Sequence, residues 1–297
     1  MQKWQYHCTV NTAQAGHRLK QYLRGDLLIP KTIYHELRIH HAVTLNGHYQ
    51  SVHTTVATGD DVQFTFYASD FSTPEPQYQG GDASQVHVLY ENSDLLVVDK
   101  PIGTKTHPNR PDEQDSLMNH VTAYLGSPAY VVHRLDRDTS GAIVIAKNPV
   151  VLPILNRLIS SKRITRQYRA WVHGHLPASG TISLPIGRDP LDKRKRQVDG
   201  PGAVAAITHY RVLQQTATKS LLAIQLETGR THQIRVHFSY LGHPLVGDVL
   251  YDPQASHYSR LFLHSAKMRL LLPFSFAPIE VTAPLPESFL DMVDCKI

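Results

Sequence analysis

The spacing of apolar residues in the first part of the chain predicts a small α/β module. Apolar positions recur at helical intervals in HRLKQYLRGDLL and again in TIYHELRI, and Pro30 marks the start of the second helix. AVTLNGHYQ alternates around Asn46-Gly47, a pair typical of tight hairpins, and GDDVQFTFY predicts one more strand. Residues 1–70 therefore predict two short helices packed with a hairpin sheet.

The apolar pattern changes after this module. Residues 71–85 are rich in Ser, Pro, Gly and Gln without apolar periodicity, which predicts a linker. Residues 86–297 contain helical stretches near 149–160 and 231–241, and Thr231 can cap the second. The same region has five strand-like runs: VHVLYE, LLVVDK, AIVIAK, QYRAWVHG and LLAIQLE. Because strands and helices do not alternate regularly, we expect α+β architecture rather than a doubly wound sheet.

Composition agrees with a globular protein and excludes several classes. Of 297 residues, 41% are hydrophobic and 19% are charged, as in ordinary folded domains. No apolar run approaches the roughly 18 residues of a membrane span, and the start lacks the apolar core of a signal peptide, so we expect a cytoplasmic protein with no membrane contact. Glycine-rich nucleotide loops and HExxH spacings are absent from the sequence, so we expect no cofactor and no metal, and we expect a monomer.

Positive charge is concentrated in two stretches. Lys and Arg exceed Asp and Glu by 30 to 25, a net charge of +5 that admits a polyanionic partner without requiring one. Arg157 to Arg169 carries five cations and no acid, and four more cations are consecutive near residue 195. Solvated loops are the alternative explanation, but both stretches are candidates for contact with the phosphates of a nucleic acid. The candidate nucleic-acid-binding residues here are Arg163, Arg166, Lys193, Arg194, Lys195 and Arg196.

Three polar segments could carry chemistry. His133 to Gly141 is a dense polar block before a strand, for which a salt-bridged turn is as good an explanation as a site. Residues 226–237 join a strand to a helix and concentrate Arg and His near a helix start, where anions bind readily. Residues 100–108 follow an apolar strand. Each segment alone is a weak signal.

Taken in order, these segments strongly resemble the RluA-type pseudouridine synthases, enzymes that isomerise uridine in RNA. The matching segments are DKPIGTKTHP, HRLDRDTSGAIVIAK, ITRQYRAWVHG, IGRDP, LETGRTHQIRVHFSYLGHPLVGDVLY and RLFLHSAKM, and they cover most of residues 86–284. The resemblance implies a catalytic domain over residues 86–297 with a mixed, largely antiparallel sheet flanked by helices and loops. It also implies structured RNA as the substrate.

The resemblance also implies which residues form the site. Asp136 matches the nucleophilic carboxylate, Arg235 its ion-pair partner, and Tyr168 the tyrosine beside the target base that is implicated in moving a proton. Arg134 matches the arginine that helps to hold the RNA with the base flipped out. A carboxylate can serve this reaction without a cofactor, and a nearby arginine would keep it ionised. Further candidates for substrate contact are Lys100, Leu135, Arg230, His232 and Ile234.

The N-terminal module resembles the small RNA-binding domain of the S-four type, which is shared with a small-subunit ribosomal protein. HRLKQYL, VTLNG and TGDDVQF carry the resemblance, although Pro30-Lys31-Thr32 replaces the usual Ser-Arg-Ser-like start and His41 stands near the expected turn glycine. Residues 1–70 contain six Lys and Arg and five Asp and Glu, so the module is almost uncharged overall. The resemblance therefore supports the fold better than it supports tight RNA binding. The candidate RNA contacts are Arg18, Lys31 and Arg38.

The leading interpretation is a cofactor-independent isomerase acting on structured RNA, with ribosomal RNA favoured over transfer RNA. A non-catalytic RNA-binding or ribosome-assembly protein is the alternative from another class. Hydrolysis by a carboxylate pair is disfavoured because Asp136 and Asp138 are only two positions apart. The residues are compatible with attack of Asp136 on the ring, attack on the sugar carbon or removal of a sugar proton.

Overall fold

The N-terminal residues fold into a four-stranded antiparallel sheet with two short helices, in a computed structural model that describes residues 2–71 and 75–294. Residues 72–74 of the predicted linker lie outside the described residues. The strands, in the order β1-β4-β2-β3, are β1 (Lys3–Thr9), β2 (Val43–Leu45), β3 (His48–Tyr49) and β4 (Asp61–Tyr67). The helices are α1 (Leu19–Gln21, continued by a π-helical turn over Tyr22–Asp26) and α2 (Lys31–Ile39).

The local signals in this module are confirmed. Thr44 pairs with Tyr49 across the predicted hairpin, and Asn46 and Gly47 both have the positive φ that its turn requires. The second helix begins directly after Pro30. Strand β4 alternates buried positions with half-buried or exposed ones, as the sequence pattern predicted.

The rest of the chain is built on a ten-stranded sheet. Strands β8 and β15 run parallel and the other described pairs are antiparallel, which confirms a mixed, largely antiparallel sheet and the α+β class. The main order is β10-β13-β14-β9-β15-β8-β6-β5, with β16 beside β15 and β7 beside β8, and β11 and β12 form a separate hairpin. Their bounds are β5 (Val88–Glu91), β6 (Leu95–Lys100), β7 (Tyr130–Val131), β8 (Ser140–Ala146), β9 (Thr165–His173), β10 (Ser179–Ser183), β11 (Ile186–Arg188), β12 (Arg196–Val198), β13 (Ile207–Gln215), β14 (Lys219–Leu226), β15 (Leu263–Leu271) and β16 (Pro278–Thr282).

Four α-helices among the described residues accompany this sheet, and the start of one differs from the sequence prediction. They are α3 (Leu117–Leu125), α4 (Val151–Ser160), α5 (Gln233–Tyr240) and α6 (Glu287–Asp294). The prediction that Thr231 caps α5 is wrong, because His232 precedes the helix in a left-handed conformation (φ 57°) and no side chain caps it. Instead, the Arg230 amide donates to Gln233 Oε1 at 3.0 Å. None of the described helices has the length and apolar content to cross a membrane.

The two faces of the sheet bury different partners. Along β8, Ala142, Val144 and Ala146 pack into a core that also holds α4 and the N-terminal module. The alternate residues Ile143 and Ile145 pack on the opposite face, in a core shared with α3 and α5. Since side chains alternate along a strand, the module and α5 lie on opposite faces of the sheet.

Direct contacts fix the module against the sheet. The ring of Phe274 lies 4.1 Å from that of Tyr6 and 5.7 Å from that of Phe64, measured between centroids. The Tyr6 hydroxyl donates to Asp94 at 2.5 Å, and the Arg157 guanidinium donates to the Leu28 carbonyl at 3.0 Å. The division into residues 1–70, 71–85 and 86–297 stays a prediction about folding units, because the apolar core is continuous between the first and the last.

Candidate active site

One pocket gathers the polar segments that the sequence places far apart. It lies where the loop before β8, the start of β9 and the loop before α5 meet. Nine of the predicted site residues line it: Arg134, Leu135, Asp136, Arg166, Tyr168, Arg230, His232, Ile234 and Arg235. The segments that resembled one family in sequence are therefore adjacent in space.

The backbone on both sides of Asp136 is fixed by the segment after β6. Thr106 Oγ1 donates to the Leu135 carbonyl at 2.8 Å and accepts from the Leu135 amide at 3.1 Å. The Arg137 carbonyl accepts from the Gly103 amide at 2.9 Å. These bonds position Asp136, whose side chain is only 20% exposed, so that its carboxylate faces the pocket.

The structure corrects the prediction that Lys100 contacts the substrate. Lys100 is completely buried, and its Nζ donates to the carbonyls of Pro101, Thr104 and Arg137 at 2.9, 2.7 and 3.1 Å. Burial lowers the pKa of Lys100 to about 7, against the opposing pull of nearby carboxylates. The three acceptors match the three N–H groups of the charged amine. Lys100 therefore holds the loop before β8 in place.

Arg235 joins two carboxylates. Its Nη1 lies 3.3 Å from Asp136 Oδ2, while its Nε and Nη2 each lie 2.7 Å from an oxygen of Asp248. The Arg235 side chain is 3% exposed and that of Asp248 is 0% exposed. Burial disfavours the charge on Arg235, but the hydrogen bonds to Asp248 outweigh it and raise the pKa of Arg235. The cation is thus permanent and fixed in orientation beside Asp136.

Two residues of this network were not identified from the sequence. Asp248 and Tyr251 lie in the segment GHPLVGDVLY, which was recognised as a whole without roles for these positions. An acid inside an apolar run is the signal that could have singled out Asp248, because a buried carboxylate needs a partner. The Tyr251 ring lies 5.3 Å from the Arg235 guanidinium carbon, so it forms one wall around that cation.

Tyr251 also connects the pocket to the hairpin formed by β11 and β12. Its hydroxyl accepts from the Arg196 amide at 2.7 Å and lies 3.0 Å from His232 Nδ1. Burial raises the pKa of Tyr251 to about 12, so this hydroxyl stays protonated at neutral pH. His232 Nε2 is 3.8 Å from Asp136, and burial lowers the pKa of His232 although the carboxylate opposes this.

Tyr168 and two apolar residues form the wall of the pocket. Tyr168, Leu135 and Ile234 are each at most 5% exposed and belong to one apolar cluster. Burial raises the pKa of the Tyr168 phenol, with the nearby Arg166 cation acting in the opposite direction. The phenol is therefore neutral near pH 7. The arrangement sets a carboxylate and a neutral phenol beside an apolar wall that suits a flat base.

The structure does not bring every predicted RNA contact to this pocket. Arg163 is exposed, and its guanidinium lies 5.0 Å from the Phe276 ring centroid, near the N-terminal module. Arg18, Lys31 and Arg38 are exposed on the module itself. Contacts of these residues with RNA remain predictions.

The four consecutive cations lie beside the pocket. Arg194 lines a neighbouring opening together with Asp136 and Arg235, and Arg196 lines a second opening together with Arg188. Lys193 is exposed on the loop between β11 and β12, and Lys195 is half-buried there. This stretch is therefore within reach of a substrate that enters the pocket.

One group of possible metal ligands occurs among residues 2–71 and 75–294. Glu36, His40 and Asp70 place one ligand atom each within 4.8 Å of one another. His40 Nδ1 lies 3.3 Å from Asp70 Oδ1. The group belongs to the N-terminal module and does not line the pocket.

Comparison with known proteins identifies the family. The family model described as RNA pseudouridylate synthase matches residues 94–240, and that of the RluD ribosomal pseudouridine synthase N-terminal domain matches residues 6–62. The RNA pseudouridine synthase YhcT of Bacillus subtilis is 36% identical over 285 residues, which cover 93% of this chain and 92% of that protein. Ribosomal large subunit pseudouridine synthase D of Escherichia coli O6:H1 is 32% identical over 319 residues, which cover 99% of this chain and 94% of the relative.

A solved structure agrees with these sequence matches. Human RNA Pseudouridylate Synthase Domain Containing 1 superposes with a TM-score of 0.59 at 29% identity, over 69% of this chain and 85% of the human one. The predicted resemblance to RluA-type enzymes is thereby confirmed. The chain belongs to the RNA pseudouridylate synthase family and is an isomerase of the RluA type.

Proposed function

We propose that this enzyme converts specific uridines of structured RNA into pseudouridine with Asp136 as the catalytic carboxylate. The observation that carries the proposal is the position of this side chain in the pocket. It is 20% exposed and lies 3.3 Å from Arg235, whose guanidinium is locked by the fully buried Asp248. A fixed cation orients the carboxylate and complements its charge without replacing it as the reacting group.

The net reaction requires no cofactor. The bond between the base nitrogen and the sugar breaks, a bond between a ring carbon and the same sugar carbon forms, and one proton moves from that ring carbon to the nitrogen. Asp136 serves as nucleophile or base, and Tyr168, neutral and beside the pocket, takes part in the proton movement. The wall of Leu135 and Ile234 contacts the face of the extruded base.

We assign the cations around the pocket to the RNA backbone. Arg134, Arg166, Arg230 and Arg196 line the pocket or the adjoining opening, so they would contact phosphates on either side of the target nucleotide. The N-terminal module, with Arg18, Lys31 and Arg38 exposed, would add contacts farther along the RNA. Each phosphate contact would make binding more salt dependent.

Ribosomal RNA is the substrate we propose. Relatives named ribosomal large subunit pseudouridine synthase D are 32% and 37% identical to this chain, and the first of these matches covers 99% of it. We also propose that the enzyme acts as a monomer in the cytoplasm, where this substrate would be met. Transfer RNA is the alternative that the experiment must separate.

The test uses purified enzyme with two RNA pools made without modified nucleotides: large-subunit ribosomal RNA and transfer RNA. Pseudouridines are mapped at nucleotide resolution after reaction, with Asp136→Asn as the parallel control. We expect one or a few modified uridines in ribosomal RNA and none with the variant. Modification confined to transfer RNA would refute the substrate, and no pseudouridine in either pool would refute the function.

A further inference from the structure

The loop between β11 and β12 places an apolar side chain at a basic tip. Leu191 is 95% exposed, more than any other large apolar side chain in the described part of the chain, and four cations, Lys193 to Arg196, follow two positions later. A single exposed leucine is ordinary on a protein surface. Its place among cations at the rim of an RNA-modifying site gives this one a different meaning.

Hydrogen bonds within the loop hold Leu191 away from the protein. Asp189 Oδ1 accepts from the Leu191 amide at 2.8 Å and from the Asp192 amide at 3.0 Å. Asp192 then accepts from the Arg194 guanidinium at 3.0 and 2.8 Å. Both acids are therefore used inside the loop, so the cations Lys193, Lys195 and Arg196 set the charge of its outer surface.

The loop is anchored to the pocket at its second strand. The Arg196 amide donates to the Tyr251 hydroxyl at 2.7 Å, and Lys195 Nζ lies 5.8 Å from the Tyr251 ring centroid. Tyr251 also contacts His232 and Arg235, which line the pocket. The position of the tip is thus tied to the residues around Asp136.

We propose that Leu191 is a wedge that inserts between stacked bases of the RNA next to the target uridine, while the cations of the loop bind the flanking phosphates. This inference rests on the proposed function. Extruding a base from a helix breaks its stacking and pairing, and an apolar side chain that fills the gap offsets part of this cost. Because a leucine makes no hydrogen bonds to base edges, the wedge would act on RNA structure rather than on sequence.

The test compares Leu191→Ala with Leu290→Ala, a matched variant of an exposed leucine on α6, whose neighbour Phe289 packs in a separate core around Trp171. Each is assayed on a folded RNA fragment with the target uridine in a helix and on a short unstructured RNA with the same uridine. We expect Leu191→Ala to lower kcat/KM about tenfold on the folded RNA and less than about twofold on the unstructured one. Leu290→Ala should leave both values at the wild-type level. Leu191→Met, which keeps a large apolar side chain, should keep kcat/KM on the folded RNA near the wild-type value.

A second readout detects unstacking without turnover. The fluorescence of a 2-aminopurine placed beside the target uridine should increase when the folded RNA binds the Asp136→Asn enzyme. The double variant Asp136→Asn/Leu191→Ala should show little of this increase. Equal losses on both RNAs, or no change on either, would overturn the wedge. An effect seen only on ribosomal particles that carry proteins would also overturn it, because the tip would then contact protein. Wild-type enzyme inactive on every RNA would instead refute the proposed function.

Discussion

The two faces of the central sheet differ in the interactions that hold their side chains in place. On the pocket face, Arg235 lies between Asp136 and the buried Asp248, so charge is held in place by partners rather than by water. On the other face, aromatic rings of Phe274, Tyr6 and Phe64 join the N-terminal module to the sheet. The pocket face therefore carries the desolvation cost of a few oriented charges, whereas the other face gains stability by removing apolar area from water.

Removing the buried carboxylate that pairs with Arg235 should destabilise the pocket face more than any other change considered. Asp248→Asn leaves Arg235 with Asp136 as its remaining acid, so we expect the free energy of unfolding to fall by about 4 kcal/mol in urea titrations. Asp192→Asn is the matched control, since Asp192 binds Arg194 in the same two-pronged geometry at an exposed site. It should leave the free energy of unfolding close to the wild-type value, because solvent screens this pair. Equal costs for both variants would contradict the role given to burial.

On the opposite face, Phe274 is the residue whose ring joins the sheet to the N-terminal module. Removing its ring by Phe274→Ala should lower the free energy of unfolding by about 3 kcal/mol, because the cavity lies between the module and the sheet. The two tryptophans separate the units, since Trp4 is in β1 and Trp171 is in β9. In Trp4→Phe and Trp171→Phe variants, each of which keeps one tryptophan, we expect the urea transition seen by tryptophan fluorescence to coincide with the transition seen by far-ultraviolet circular dichroism of the same variant. Separate midpoints would mean that the module folds independently of the sheet.

Acid should weaken the sheet through His264. This side chain is fully buried, and burial lowers its pKa from about 6.5 to about 4. The unfolded chain then binds more protons between those values, so acid favours unfolding and stability is lost as the pH falls below 6.5. Between pH 6.5 and 5 the wild type should lose about 1.5 kcal/mol more than His264→Gln, which does not titrate. Parallel pH profiles for the two proteins would refute this contribution.

The smallest expected effect concerns the basic loop beside the pocket. Lys193→Ala should weaken RNA binding uniformly and reduce the slope of log affinity against log salt by about 0.7. Lys219→Ala is the control. Lys219 is at the start of β14, whereas Leu226, at the other end of this strand, lines the pocket, so Lys219 lies a strand length away from the site. Filter binding at several salt concentrations measures both. An unchanged slope for Lys193→Ala would remove it from the RNA contacts.

The local parts of the fold were predictable because they depend on near neighbours. Asn46-Gly47 determines its hairpin through backbone conformation alone, and the alternating runs determine strands through period-two burial. The resemblance of ordered segments predicted that Asp136, Tyr168 and Arg235 would meet, and they line one pocket.

The parts that could not be predicted depend on long-range geometry. Lys100 belongs to a polar segment that looks exposed, yet one of its acceptors is the Arg137 carbonyl, 37 positions away. Asp248 gains its role from Arg235, which the sequence does not pair with it. The left-handed backbone at His232 shifts the start of α5 past Thr231, and although histidine adopts this conformation more often than most residues, the apolar pattern gives no sign of it.

The assignment of Asp136 as the catalytic carboxylate can be tested by comparing it with its neighbour Asp138. Single-turnover formation of pseudouridine is measured on the ribosomal RNA substrate for wild type, Asp136→Asn and Asp138→Asn. Asp136 faces Arg235 in the pocket, whereas Asp138 pairs with the exposed Arg137 at 3.1 Å. We predict a loss of at least about 10⁴-fold for Asp136→Asn and less than about tenfold for Asp138→Asn, with both variants folded. Comparable losses for the two, or an active Asp136→Asn enzyme, would contradict the assignment.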